Sequence, residues 1–467
     1  MNASIERLTV RSLLKKAADT YPDLCALQNG SEEITYKQLY NTLMINASRL
    51  CAQVEGNRIG IQSNQKRMTQ PVVISILSVM LAGKCALLLP EFQSLSDALS
   101  SCTLYHVDTL LTDHVDDQSR LISYLPLGML PESLSIDVLP DVSPDDECMV
   151  LFTSGTTALP KGAVISNDNL CSDAIAGSML YPFEPGMRFV NCLPYYHGYG
   201  ILCDIIAPLS NGSTLCTATE NGFIRDIQHY APTNINGVPE LAHTLLQMLE
   251  NFGPLPGTER LKRILCGGAA LDPSLCSAMR SHGIELYNCY GLTEFSTAIA
   301  VNSPEDNDPT SVGTILSCCE VTVAEDDEVL VRGRNMMKGY GPDGPWLNRD
   351  TWFHTGDLGY VNEHNHLFIM GRKDNAMLLP NGEKVQAEQY EALLCRFDCI
   401  KEAIVYLPQG RSSIAAVIVT EDEMRARTAL DEVNTHLADG CRIMNPVYTE
   451  KPLRRNSMGK LIRSSYK

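Results

Sequence analysis

Residues 149–162 pass from an apolar run (Met149, Val150, Leu151, Phe152) straight into Thr153, Ser154, Gly155, Thr156, Thr157, Ala158, Leu159, Pro160, Lys161 and Gly162. The apolar run predicts a buried strand. The ten residues after Phe152 hold four hydroxyls, two glycines and a lysine. That composition wraps donors around phosphate oxygens: the glycines let backbone approach where a side chain would clash, and Lys161 adds charge. A Walker loop is excluded, because Lys161 is followed by Gly162 and Ala163 rather than by Ser or Thr opening a helix. On composition alone, the alternative is an ordinary Ser/Thr/Gly surface loop.

Around this stretch, short apolar runs alternate with helical patterns. Residues 5–55 read as helices around one strand pair, with a strand-like ITY in 31–39 running into a helix. Residues 58–61, 72–81 and 85–89 form a strand–helix–strand unit, since Gly83 and Lys84 interrupt what would otherwise resemble a membrane span. A weaker strand at 106–111 continues the alternation, which persists through 189–193, 213–216, 234–238, 263–266 and 285–288. After about residue 310 the texture changes to short strands at 319–323, 328–332, 359–361 and 366–370, an antiparallel region. A final α/β segment covers 375–467.

A net charge of -18 argues against nucleic acid or anionic membrane as a main partner, since both need basic surface. An anionic nucleotide must then be met by local lysines and backbone amides. Seventeen cysteines are scattered without a CxxC pair or zinc spacing, which reads as buried reduced thiols and predicts a cytoplasmic protein. Glu6, Arg7, Arg11, Lys15 and Lys16 leave no apolar core for a signal peptide.

Further motifs carry chemistry. Residues 193–200 (LPYYHGYG) offer aromatic walls and one imidazole, His197, for a flat or aliphatic acid, or else form a packed aromatic loop. Gly267, Gly268, Ala269 and Ala270 follow a strand, where a ligand plane can lie on exposed backbone. In 287–294 (YNCYGLTE), Tyr290 offers a ring to adenine, Thr293 a hydroxyl to phosphate and Glu294 a carboxylate to Mg²⁺. Asp357, in HTGD, is placed at a tight turn and suits ribose hydroxyls, or simply caps its turn. A lysine near the chain end, Lys460, reads by itself as solvated surface.

Together SGTTALPKG, YGLTE, TGD, GRKD (371–374) and the MGK around Lys460 resemble the adenylate-forming superfamily of acyl- and aryl-CoA synthetases, peptide-synthetase adenylation domains and luciferases. Ala158 stands where the usual pattern has Gly or Ser, and Leu378 where many members have Lys. The resemblance covers essentially the whole chain. It implies an α/β fold with a large N-terminal domain of α/β subdomains plus a β-barrel-like subdomain (1–373). A small mobile α+β C-terminal domain (374–467) would turn at a hinge on Asp374.

The resemblance also implies roles. ATP would be held by Thr153, Ser154, Gly155, Thr156, Thr157, Lys161, Gly268, Ala269, Asn288, Tyr290, Gly291, Thr293, Asp357, Arg372 and Lys460. Glu294 would hold magnesium. Catalysis would fall to Lys460, His197, Thr293 and Glu294, with Lys460 bridging the acid carboxylate and the α-phosphate. Acid-pocket walls would be His197, Tyr199, Val238, Gly268, Asn288 and Phe295, and Gly382 would leave room for a thiol-bearing arm. The implied reaction is ATP-dependent activation of a carboxylic acid and transfer to coenzyme A, or alternatively to a carrier-protein phosphopantetheine in trans. A non-catalytic relative would be expected to have lost Glu294 or Lys460, and both are present.

Overall fold

The computed structural model describes residues 6–90, 95–113, 123–129, 138–153, 161–379, 384–408, 413–438, 440–455 and 461–466. The fold is mixed α/β and packs as two units. One comprises Met1–Val321, Val331–Phe353 and Asn362–Leu367; the other comprises Thr322–Leu330, His354–Val361 and Phe368–Lys467.

The first unit contains two sheets. One runs in the order Gly339–Tyr340, Gly162–Ser166, Glu147–Phe152, Cys85–Leu88, Arg58–Gln62, Thr109–Thr112, Ser123–Pro126. The expected strand–helix–strand unit is its centre, with Arg58–Gln62 and Cys85–Leu88 parallel across the helix Gln70–Leu81. Every residue of that helix from Val72 to Leu81 is buried, which explains the unbroken apolar run. Pro71 sits in the first turn, where its missing N–H costs nothing. Among the described residues no helix is long and apolar enough to cross a membrane. The strand expected from 106 starts instead at Thr109, because His106 takes a left-handed φ of 55°.

The other sheet of this unit sets Arg188–Val190, Asn234–Gly237, Arg263–Cys266 and Glu285–Tyr290 side by side and parallel. Gly237, Cys266 and Asn288 lie in register, so the segments after these strands all leave from one edge. Such carboxyl edges are where open α/β sheets bind ligands.

The second unit is built on Glu402–Tyr406, Ile414–Val419 and Ile443–Thr449, the first pair antiparallel and the second parallel. Helices Ala387–Leu394 and Glu423–Thr435 supply Tyr390, Leu394, Ala426 and Leu430 to a core shared with Val405, Ala416 and Ile418. Strands Cys319–Val323, Glu328–Gly333, Phe353–Val361 and His366–Arg372 neighbour one another in that order, and the order is open at Cys319–Val323. The β-rich region expected after about residue 310 is present as these short neighbouring strands. Packing also groups parts of it with 374–467.

Candidate active site

The strand Glu147–Phe152 does not lead into a helix. It pairs antiparallel with Gly162–Ser166, Phe152 opposite Gly162, so the hydroxyl-rich stretch joins two strands. Thr153 closes its base, its amide donating to the Lys161 carbonyl at 2.8 Å and its hydroxyl to the same oxygen at 3.2 Å. Gly162 is required sterically: a Cβ there would lie 2.3 Å from the Tyr105 hydroxyl oxygen. Ser154, Gly155, Thr156 and Thr157 lie outside the described residues.

A segment that no sequence motif marks completes this corner. Tyr340 pairs with Ala163 and Gly339 with Val164. The Tyr340 hydroxyl donates to Glu294 Oε1, while Lys161 Nζ stands 5.5 Å from the Tyr340 ring centroid. Met337 N donates to the Glu294 carbonyl at 2.7 Å. Burial and the neighbouring Glu294 charge push the Tyr340 phenol well up, so it remains a donor at any working pH. A single Gly-Tyr pair gives no signal in one sequence; only strand pairing reveals it.

The carboxyl edge of the parallel strands carries Val238, Gly268, Ala269, Tyr290, Gly291, Thr293 and Glu294 at or just after its strand ends. Gly268 (φ 81°) and Ala269 are exposed, and a Cβ on Gly268 would lie 3.8 Å from Val238 Cγ1. A Cβ on Gly267 would meet Cys289 Sγ at 2.7 Å and the Tyr199 ring at 3.3 Å, which places Tyr199 on the same wall. Asn288 is buried and donates to the Ser311 carbonyl at 3.1 Å. Phe295 is wholly buried, edge-on to Phe353 at 5.6 Å between centroids, so it can support a pocket only through its neighbours.

The aromatic motif divides into two roles. Tyr195 is buried, with its hydroxyl donating to the Leu89 carbonyl and accepting from Ser63 N at 2.9 Å; it anchors the loop to the first sheet. Tyr196 is also buried, whereas His197 and Tyr199 are partly exposed. The Tyr199 hydroxyl donates to the Leu265 carbonyl at 2.7 Å. A Cβ on Gly198 would lie 2.5 Å from Thr297 Oγ1 and 3.0 Å from Leu151 Cδ1. His197 thus sits next to contacts with both the Glu294 turn and the strand that enters the hydroxyl-rich stretch.

Just beyond, Asp204 lies in a π-helical turn, Ile201–Ile206, and is fully buried. It accepts from Asn191 Nδ2 at 2.6 Å and Asn236 Nδ2 at 2.9 Å. Burial outweighs these amides and raises its carboxyl to about 7. A carboxyl whose folded value exceeds its unfolded one, about 3.9, gives stability that is full below about pH 4 and is lost as pH rises through about 7. Asp204→Asn cannot titrate. Its melting temperature relative to wild type should therefore climb by several degrees from pH 5 to pH 8; a difference that stays constant with pH would refute the assignment.

In the second unit, Asp357 falls within the strand Phe353–Val361, not in a tight turn, and the left-handed Gly356 (φ 72°) bends the strand beside it. Arg372 NH1 donates to Asp357 Oδ1 at 2.8 Å and to the Thr355 carbonyl at 2.9 Å, bringing the expected ribose residue together with one expected on ribose or phosphate. Glu328, buried, accepts from Gly356 N at 3.0 Å and Lys373 Nζ at 2.8 Å, tying the Asp357 segment to the one that carries Asp374. Asp374 is exposed in a one-turn 3-10 helix. Gly382 and Lys460 lie outside the described residues.

Among the described residues no cluster of three or more His, Cys, Asp or Glu could hold a metal alone. One carboxylate, Glu294, with a neighbouring Thr293 hydroxyl fits Mg²⁺, which is commonly held by one or two carboxylates together with substrate phosphates.

Lys161, Tyr340 and Glu294 form one corner of an α/β protein whose parallel strands end at the kind of edge where open sheets bind ligands. The chain belongs to the AMP-binding enzyme family, which matches residues 14–341. It is 26% identical over 484 residues to the 2-succinylbenzoate–CoA ligase of Bacillus cytotoxicus, covering 97% of this chain and 98% of that protein. The fold superposes on the o-succinylbenzoate CoA synthetase of Bacillus subtilis in complex with its acyl-adenylate intermediate, with a TM-score of 0.83, 23% identity and 97% of each chain covered. It also superposes on an anthranilate CoA ligase in complex with anthranoyl-AMP, with a TM-score of 0.83, 18% identity, and coverage of 100% of this chain and 98% of that one.

Proposed function

We propose that this chain is an ATP-dependent acid–thiol ligase that activates a carboxylic acid as its acyl-adenylate and transfers the acyl group to coenzyme A. The observation that carries this reading is the joining of Lys161 and Glu294 through Tyr340, in a family member with a partly apolar wall at His197, Tyr199, Val238 and Gly268. The name of the B. cytotoxicus relative supports the acid and the acceptor.

In the first step the acid carboxylate attacks the α-phosphorus of ATP; an O–P bond forms and pyrophosphate leaves. Lys161 and the Thr153–Thr157 hydroxyls would neutralise the departing phosphates, and Lys460 would bridge the two reacting anions. Mg²⁺, held by Glu294, would supply further charge neutralisation when bound. Tyr290, Gly268 and Ala269 would border adenine, with Asp357 and Arg372 on the ribose. In the second step the thiol attacks the acyl carbon and AMP leaves, after the segment beyond Asp374 turns and the passage beside Gly382 opens. A cytoplasmic location accords with all seventeen thiols being unbridged.

The acid should lack an α-ammonium. Asp204, the first carboxylate after the aromatic motif in sequence, is buried and held by two amides, so the motif itself offers an ammonium no counter-charge. ATP–pyrophosphate exchange across aryl, fatty and amino acids, with coenzyme A-dependent AMP release measured next, tests the reading. Aryl or fatty acids should exchange at least a hundredfold faster than any amino acid. An amino acid as the best substrate would overturn it.

A further inference from the structure

We propose that Tyr340 is a positioning residue for adenylation, aligning the Glu294 carboxylate and the Lys161 ammonium on the nucleotide phosphates. The inference rests on the reading of Glu294 as the magnesium-binding carboxylate and deepens it.

Glu294 is the middle residue of a one-turn 3-10 helix, Thr293–Phe295, and is partly exposed, so three side-chain torsions are available to it. The Tyr340 hydroxyl takes one lone pair of Oε1, which fixes the carboxylate plane and leaves Oε2 for a cation. A phenol donating to an ionised carboxylate makes a strong, directional bond. On its other side the same ring lies under Lys161, at 5.5 Å from ammonium to centroid, within the range of cation–π attraction. One side chain therefore spaces two opposite charges that would otherwise neutralise each other, and holds both available to a polyanion.

Tyr340 can do this because its own backbone is pinned at both ends. It pairs with Ala163, two residues after Lys161, and Gly341 N donates to the Gly162 carbonyl at 2.9 Å. Three residues before Tyr340, Met337 N holds the Glu294 carbonyl. Residues 337–341 thus fasten the arm leaving the phosphate stretch to the turn that carries Glu294. The two motifs are 133 positions apart in sequence (294 minus 161).

The test separates the hydroxyl from the ring. Tyr340→Phe keeps the surface under Lys161 and loses the donor, whereas Tyr340→Leu loses both. Calorimetric binding of ATP in EDTA and in a magnesium series is measured with pyrophosphate exchange and thermal melting, alongside Glu294→Gln and the double variant. Tyr340→Phe should raise the magnesium needed for half-maximal effect about tenfold, the size expected for a hydrogen bond to a charged group. ATP affinity in EDTA should stay within about twofold, and melting should be unchanged. Tyr340→Leu should also weaken ATP binding in EDTA by about threefold to fivefold, reflecting the lost cation–π contact. Glu294→Gln/Tyr340→Phe should need no more magnesium than Glu294→Gln alone, because both act through one carboxylate.

If Glu294→Gln shifts the magnesium titration and Tyr340→Phe does not, the positioning role is wrong while the Glu294 reading stands. If neither shifts it, both fall. A Tyr340→Phe loss that is equal with and without magnesium, or tracks a lowered melting temperature, makes Tyr340 structural only and overturns the proposal. Should Tyr340→Leu fail to fold, Tyr340→Phe and the double variant still decide.

Discussion

Lys460→Ala should slow adenylate formation by a factor of about a hundred to a thousand, the range for removing one preorganised charge from a transition state. Thioester formation from supplied acyl-adenylate should change by less than about threefold, since the charge being neutralised exists only while the carboxylate meets the α-phosphate. The chain on either side of 456–460 is held for such a task. Arg455 and Leu461 pair as an antiparallel bridge, and Ile462 N donates to the Arg454 carbonyl at 2.9 Å. Arg463 grips Glu391 with two hydrogen bonds of 2.7 and 2.6 Å, a bidentate fork that ties this segment to the helix Ala387–Leu394. Pyrophosphate exchange and a stopped assay starting from acyl-adenylate measure the two halves separately. Equal losses in both would refute a role confined to the first step.

Gly291→Ala should be more damaging than its single methyl group suggests. A Cβ at Gly291 would fall 1.6 Å from the Thr297 carbonyl oxygen and 2.5 Å from the carbon that bears it. Both are backbone atoms, so no rotamer relieves the clash. The backbone facing it is already committed, with Ser296 at φ 56° and Thr297 at φ 147°. Relief requires the Thr293–Phe295 turn to move by more than an ångström, carrying Glu294 away from Tyr340. ATP affinity should fall by about a hundredfold or more, and melting should drop by several degrees. Gly177, inside the helix Asn167–Leu180 with nothing within 4 Å of its Cβ direction, is the control. Gly177→Ala should leave ATP binding unchanged and stabilise the fold by about 0.5–1 kcal/mol. Gly291→Ala binding ATP as wild type would show that the turn tolerates displacement.

The alternation of strands and helices was legible because burial on two faces and helical periodicity are local properties, written within ten or twenty residues. Gln70–Leu81 is an example: an apolar run with Pro at its head and Gly83 at its foot leaves a helix little choice. The motif residues were legible for a related reason, since Gly267 and Gly291 are glycines at close approaches, to side chains at the first and to backbone at the second, and Glu294 follows Gly291 by three residues. The two tyrosines before His197 were not separable in sequence from the residues that face a ligand. Tyr195 is an anchor because Leu89 and Ser63 come to it from more than a hundred positions earlier.

By itself, then, the sequence determined the fold class and the place of the motifs at the strand ends, both of which depend on residue type and short spacing. The tertiary structure alone decided which side chains share a contact. It turned the phosphate stretch into a connection between antiparallel strands and closed Asp204 between two amides. It also set Tyr340 between Lys161 and Glu294. The physical reason is pairing across distance: hydrogen-bond register and side-chain contact between segments far apart in the chain arise from the whole packed arrangement, and no local pattern encodes them.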